Sequence, residues 1–392
     1  MSSNFAYLAH GKLYLKRGDA PVQTIDSRFG ESVRQRAIEM QKRHEWKTQG
    51  RGAQFMRGSV LWGVDENDPA EMPIAITGVA PASHDGEIAY TLETSDISGI
   101  FVIKDGGQTE QRLLHTADFR VGQIAASDEK FTFVVRHKRG GDSNVGIINR
   151  DGWEFAEVTQ GDTIDLWPRW VTGSKTEIVF QSAGIGRNEA GVWIGQAPFT
   201  IQKVDLDRGD VVTLAEDPQA DLIAPQMTAD GSLYYIRRPY ESPHAKMSLW
   251  RGLLDLVLLP FRLLFALFQF LNFFTTRYTG KTLTSAGDVS HRQADMRQMM
   301  IWGNLRAADA SMRNKNAEAS PSLVPDSWKL IRKSPDGRTQ VLAEGVLSYD
   351  LAADGSVIYS NGSAIFVRDG DKPAERLAKD AFIQQVVAVP GS

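Results

Sequence analysis

The chain has 392 residues, 42% hydrophobic and 23% charged, with a formal net charge of −4, the proportions of a folded globular protein with ample material for a core. That balance carries no electrostatic footprint for nucleic acid. The complete lack of cysteine excludes disulfides, thiolate catalysis and cysteine-ligated zinc.

The opening MSSNFAYLAHGKLYLKRGD has no basic segment followed by an apolar core, so no secretory signal is read there and the cytoplasmic side is expected. Three short strands come first, FAYLAHG, KLYLKRGD and PVQTID, over residues 5–26. Residues 27–48, SRFGESVRQRAIEMQKRHEWKT, read as a charged amphipathic helix with Val33, Ile38 and Met40 as apolar contacts. A glycine- and acid-containing connector over 50–72 follows, in which GSVLWGV has the makeup of an extra strand.

One pattern then recurs: a short strand, a tight polar turn and a strongly apolar strand. It appears as PASHDGEIAYTLE (81–93), AASDEKFTFVVRH (125–137), VTGSKTEIVFQS (171–182), TADGSLYYIRR (228–238) and AADGSVIYSNG (352–362). Asp85-Gly86, Asp230-Gly231 and Asp354-Gly355 are hairpin signals, because glycine supplies the positive φ of the turn. Early repeats start about 45 residues apart, the period of a β-propeller. Third and fourth strands fit behind most of them, such as GIFVIKDGG with QRLLHTA, and NVGIINRDG with FAEVTQG.

The fifth repeat is interrupted. After IAPQMTADGSLYYIRRPY, its outer strands SWKLIRKSPDG and TQVLAEG appear only from Ser327 onward. Between them runs LWRGLLDLVLLPFRLLFALFQFLNFF, 26 residues that as a helix would be about 39 Å long, longer than the ~30 Å hydrocarbon core of a bilayer. From Tyr240 to Ser327 ten Lys/Arg face seven Asp/Glu, so this stretch is basic while the rest of the chain is acidic. Its two ends belong to neighbouring strands about 5 Å apart, which forbids a single crossing. The polar remainder of the insert cannot supply a second one. Three arrangements remain: a helix lying in the lipid interface, a re-entrant helix bent at Pro260, or a helix buried against protein.

In helical phase, Arg251, Asp255, Arg262 and Gln269 share one stripe. Lying flat, such a helix sinks a wide apolar face into the acyl boundary. The expected membrane-binding residues are Trp250, Leu253, Leu254, Val257, Pro260, Phe261, Leu264, Phe265, Phe268, Leu271 and Phe274. Lys246, Arg251, Arg262, Arg277, Tyr278 and Lys281 are placed at the lipid headgroups. A weaker amphipathic helix is read over 289–316.

The last strand, FIQQVVAV (382–389), is an innermost strand with nothing after it, and the three N-terminal strands supply what it lacks. Such closure removes exposed sheet edges. The expected fold class is therefore all-β: a six-bladed β-propeller with its N- and C-terminal strands in one blade, a helical insertion in blade five and a short helix after blade one. Residues 1–239 and 328–392 form the propeller and 240–327 the insertion.

The strand–Asp-Gly–strand units, with LWPRWV at 166–171 and KVDLDRGD at 203–210, resemble the TolB-type propeller repeat over about three quarters of the chain. The resemblance implies a bacterial binding module. Related propellers precede hydrolase domains in prolyl-oligopeptidase-like enzymes. The chain departs from TolB in having no secretion signal, no N-terminal α/β domain and a large apolar insert.

No catalytic motif is present. A G-x-S-x-G nucleophile elbow is missing, and the seven histidines show no ligand spacing. TGKT at 279–282 lacks the preceding glycine of a phosphate loop, Thr275 standing in its place. The acidic run Asp65-Glu66-Asn67-Asp68 lacks the glycine and terminal glutamate of a calcium loop. Trp167, Arg169 and Trp170 either face the central channel or pack between blades, with packing the expectation. No cofactor and no metal residue is assigned.

The function expected from sequence is a non-catalytic, membrane-associated scaffold or protein-recognition module. Its partners are anionic membrane lipids and an unidentified protein, with no nucleic acid and with homo-oligomerisation left open. Two alternatives stand beside it: a lactonase- or hydrolase-type propeller enzyme with a dispersed channel metal site, and a soluble subunit whose insert is buried in a larger assembly.

Overall fold

The computed structural model describes residues 4–48, 74–82, 86–94, 97–104, 109–138, 140–241, 320 and 322–390. The apolar run falls outside them, so every membrane-binding and headgroup residue expected between Lys246 and Lys281 lies outside the described residues. So do the extra strand expected in 50–72 and the second amphipathic helix. By internal contacts the chain divides into Met1–Tyr240 with Arg306–Ser392, and Glu241–Leu305. All elements named below belong to the first unit.

Strands form where β-branched and aromatic residues cluster between polar turns. β1 (Phe5–Ala9), β2 (Lys12–Lys16) and β3 (Gln23–Ile25) open the chain, followed by α1 (Arg28–Thr48). Next come β4 (Ala75–Pro81), β5 (Ile88–Glu93), β6 (Ser98–Lys104) and β7 (Thr109–Thr116), one antiparallel sheet in chain order. A larger sheet holds β8 (Phe119–Ala126), β9 (Lys130–His137), β10 (Ser143–Asn149), β11 (Ala156–Glu157), β12 (Thr163–Trp170), β13 (Glu177–Arg187), β14 (Trp193–Gln196), β15 (Thr200–Asp205) and β16 (Asp210–Ala215). Among the described residues the strand pairing that joins its two halves is the parallel pair Ser143↔Ile164. β17 (Ala220–Met227), β18 (Leu233–Pro239), β19 (Lys329–Lys333) and β20 (Thr339–Glu344) make a further sheet. β21 (Ser348–Leu351), β22 (Val357–Ser360), β23 (Ala364–Arg368) and β24 (Glu375–Lys379) make another, and β25 (Ile383–Ala388) pairs with β1.

The expected closure is present: the order β25-β1-β2-β3 joins both ends of the chain in one sheet. The interruption is placed as expected too, since β18 and β19 are hydrogen-bonded neighbours with Arg237 opposite Lys329. Pro239 lies opposite Ala220, the first residue of β17, so the chain departs from the blade end where β17 begins. The hairpin glycines Gly86, Gly231 and Gly355 have φ of +74°, +82° and +83°, as their turns require.

Two local expectations change. FAEVTQG yields only the two-residue β11, because β10 gives part of its edge to β12 and Thr159 Oγ1 accepts the Val145 N–H at 2.9 Å. In α1 a residue outside the expected contacts, Phe29, packs against the core, while Val33 and Ile38 are half-buried and the Met40 side chain lies outside the described residues. Ser27 caps the helix, accepting from Gly30 N–H at 3.0 Å. Glu110 ties that end down, accepting from Phe29 N–H at 2.8 Å and from the Tyr90 hydroxyl.

The core is distributed between sheets. One cluster joins Leu8 and Leu13 with Val79, Tyr90 and Phe101; another joins Ile100 and Val102 with Phe131 and Phe133. A third joins Phe5 and Tyr7 with Ile358 and Ile365. The strands β4, β8, β12, β17, β21 and β25 lie innermost; the first two approach so closely that a Cβ on Gly78 would meet the Gly122 carbonyl at 3.1 Å.

Candidate functional site: the axial cavity

An innermost strand has a sheet partner on one side only, so backbone groups on its other edge need bonds from elsewhere. Buried polar side chains of neighbouring sheets supply them. Gln385 on β25 accepts from Val79 N–H at 3.2 Å and donates to Val79 C=O at 2.8 Å. Ser98 Oγ accepts from Val121 N–H at 2.9 Å, and Gln181 Oε1 from Ala224 N–H at 2.7 Å. Ser348 Oγ accepts from Val386 N–H at 3.0 Å, and Asp350 Oδ2 from Ala388 N–H at 2.8 Å.

The C-terminal ends of these same strands converge on one cavity of about 520 Å³, within the usual size of small-molecule sites. Its lining is unevenly divided. Arg169 of β12, Gln226 of β17 and Asp350 of β21 form a polar arc; Pro81, Ala125 and Ala388 from β4, β8 and β25 form an apolar one.

Two bulges aim the polar arc. In β12 the register shifts between Leu166 and Arg169, and in β17 between Ile223 and Gln226. At each bulge a residue preceding proline adopts positive φ: Trp167 at +52° before Pro168 and Ala224 at +52° before Pro225. A non-glycine residue there is strained. Ala224 is held by bonds on both sides, since its N–H donates to Gln181 and its C=O accepts the Tyr349 hydroxyl at 2.8 Å. The bulge re-aims the next side chain toward the axis.

Arg169 Nη2 stands 3.5 Å from Asp350 Oδ1, with side chains only 12% and 8% exposed. Burial pushes the Asp350 carboxyl above its ordinary pKa, while Arg169 and the Ala388 N–H pull the other way. Burial likewise pushes Tyr349 well up. At the rim, bonds from the Ser356 hydroxyl and N–H hold Asp354 below the usual carboxylate range.

The structure divides the tryptophan–arginine cluster of the sequence. Trp167 is buried, as packing required, but Arg169 and Trp170 line the cavity. Asp350, Gln226 and Gln385 carried no motif; their signal is a polar residue inside an apolar strand, SYDL, APQM and IQQVVA. Among the described residues no three His, Asp or Glu side chains cluster as metal ligands, and no helix is long and apolar enough to cross a membrane.

No protein-family description matches the chain, and no curated protein matches its sequence. Its structure does have neighbours. TolB from Acinetobacter baumannii superposes with a TM-score of 0.52 at 11% identity, over 99% of this chain and 67% of that one. A chain of the nidogen/laminin complex gives 0.49 at 9% identity, over 100% of both. A putative TolB from Agrobacterium tumefaciens gives 0.29 at 16% identity, over 54% of this chain and 76% of that one. At such identities the first of these likenesses defines the fold alone: a TolB-like β-propeller.

Proposed function

We propose that this chain is a non-catalytic recognition module: a six-bladed propeller whose axial cavity holds a ligand or a partner's side chains. An apolar insertion tethers it to anionic lipid on the cytoplasmic face of a membrane. The blade count rests on dividing the larger sheet at its single parallel pair, which gives one four-stranded unit to each innermost strand, with β14 as an additional strand on β13. The observation that carries recognition is the convergence of all those strands on one half-polar, half-apolar cavity. The tether is supported by the insert's sequence and by the attachment of both its ends to adjacent strands.

The test is a thermal-shift screen of short peptides and metabolites against wild type and Ala126→Trp, which fills the cavity. Recognition predicts compounds that raise the wild-type Tm and leave the variant unmoved. Equal shifts in both proteins would remove the cavity from the reading.

One observation favours an enzyme instead. Asp350 is a buried carboxyl beside a cavity, with its pKa raised by burial, the direction of tuning a general acid needs. Catalysis predicts conversion of a bound compound that Asp350→Asn abolishes. Recognition predicts that the compound is recovered unchanged.

A further inference from the structure

We propose that the axial cavity takes its ligand by a free carboxylate seated on Arg169, with an apolar body lying along Pro81, Ala125 and Ala388; this rests on the recognition reading above. A guanidinium carries five N–H donors in a planar fork and is never deprotonated. Among the described residues the one ion pair of Arg169 is with Asp350, at 3.5 Å, beyond the range of a good hydrogen bond. Asp350 is not waiting for it. The Oδ2 of that carboxylate is already engaged by the Ala388 N–H at 2.8 Å. The pair is therefore a loose contact rather than a two-bond fork, and most of the donors of Arg169 remain unspent at the cavity wall.

A nearly buried guanidinium with free donors is the usual seat for a planar anion that can accept two parallel bonds. Among the described residues the lining holds one cation. Its rim carboxylate, Asp354, is turned into its own hairpin, with Oδ1 bonded to Ser356 N–H at 2.9 Å and to the Ser356 hydroxyl at 2.6 Å. A single positive charge with aspartates nearby suits a monoanion and disfavours a dianionic phosphate. The wall formed by β4, β8 and β25 presents Pro81, Ala125 and Ala388, which offer an apolar body contact area. The ligand class is thus a monocarboxylate with an apolar body. Two sources share that chemistry: the C-terminus of a peptide and a free carboxylic acid.

The experiment titrates four probes by calorimetry: N-acetyl-Ala-Ala-Leu as free acid and as amide, and hexanoate and hexanamide. They are tested against wild type, Arg169→Met/Asp350→Asn, Asp350→Asn and Ala126→Trp, each first checked for a cooperative melt. The double variant removes the cation without leaving a buried carboxylate unpaired. The proposal expects one acid to bind wild type about tenfold or more tighter than its amide. That preference should persist in Asp350→Asn and vanish in the double variant. Binding by the tripeptide acid alone identifies a peptide terminus, and by hexanoate a free acid. Acid and amide binding equally, yet both lost in Ala126→Trp, would overturn the carboxylate seat and leave recognition standing. Discrimination that survives in the double variant, or no binding by any probe, overturns the carboxylate seat; recognition is then judged by the wider screen.

Discussion

Asp350 concentrates the chemistry of the inner ring in one side chain. It closes the β21–β25 contact through the Ala388 N–H, faces Arg169 and has its pKa raised by burial. A carboxyl with a raised folded-state pKa binds more protons in the native than in the unfolded chain. Its contribution to stability is full at low pH and is lost as pH rises through the folded value. Asp350→Asn removes this dependence. The stability of the variant relative to wild type is expected to improve in urea titrations as pH rises above about 4, the unfolded value, and to level off once pH passes the raised folded value. A difference that stays constant with pH would show that Asp350 titrates as it does in the unfolded chain. The residue was not legible in the sequence as a site. One aspartate in SYDL says only that a strand carries a polar group, and the arginine facing it lies 181 positions earlier, on β12. Ion pairs between blades leave no local pattern.

At the scale of elements, hairpins were the most legible feature because their determinants are adjacent in sequence. An Asp-Gly pair between two apolar runs specifies its turn without help, and Gly231 and Gly355 adopt the positive φ it needs. Bulges were not legible, because they arise from how two strands pair. WPR and APQ read as strand residues, yet both mark a register shift that turns Arg169 and Gln226 to the axis. The strained residue of β17 makes this testable. Ala224→Val places a β-branched side chain at φ +52° and is expected to cost about 1–3 kcal/mol by chemical denaturation. Ala224→Gly should stay within about 1 kcal/mol of wild type. If valine is tolerated as well as glycine, the bulge is not held in that conformation. The shortening of FAEVTQG to β11 has the same origin: the edge it was expected to occupy is partly taken by β12.

At the scale of the whole molecule, closure and interruption were both readable, since each follows from counting strands. The C-terminal strand lacked partners and the N-terminal three lacked an inner strand; β25 and β1 answer each other, with Phe5 opposite Ala388. The fifth repeat lacked its outer strands until Ser327, and β18 pairs with β19 across the whole insertion. The chain thus spends 89 residues, 240–328, between two adjacent strands. A propeller does not need that length to join neighbouring strands, for which a two-residue turn suffices. Its apolar run has the makeup of a lipid-facing helix, with a basic balance suited to anionic headgroups. Vesicle flotation, comparing the intact chain with one whose residues 242–319 are replaced by a short Gly-Ser linker, tests the tether directly. The replaced protein is expected to keep the cooperative melt of the propeller and to stay at the bottom of the gradient. The intact protein is expected to float with anionic vesicles, less so as salt rises. Failure of the intact chain to float on anionic vesicles at low salt would contradict the lipid tether.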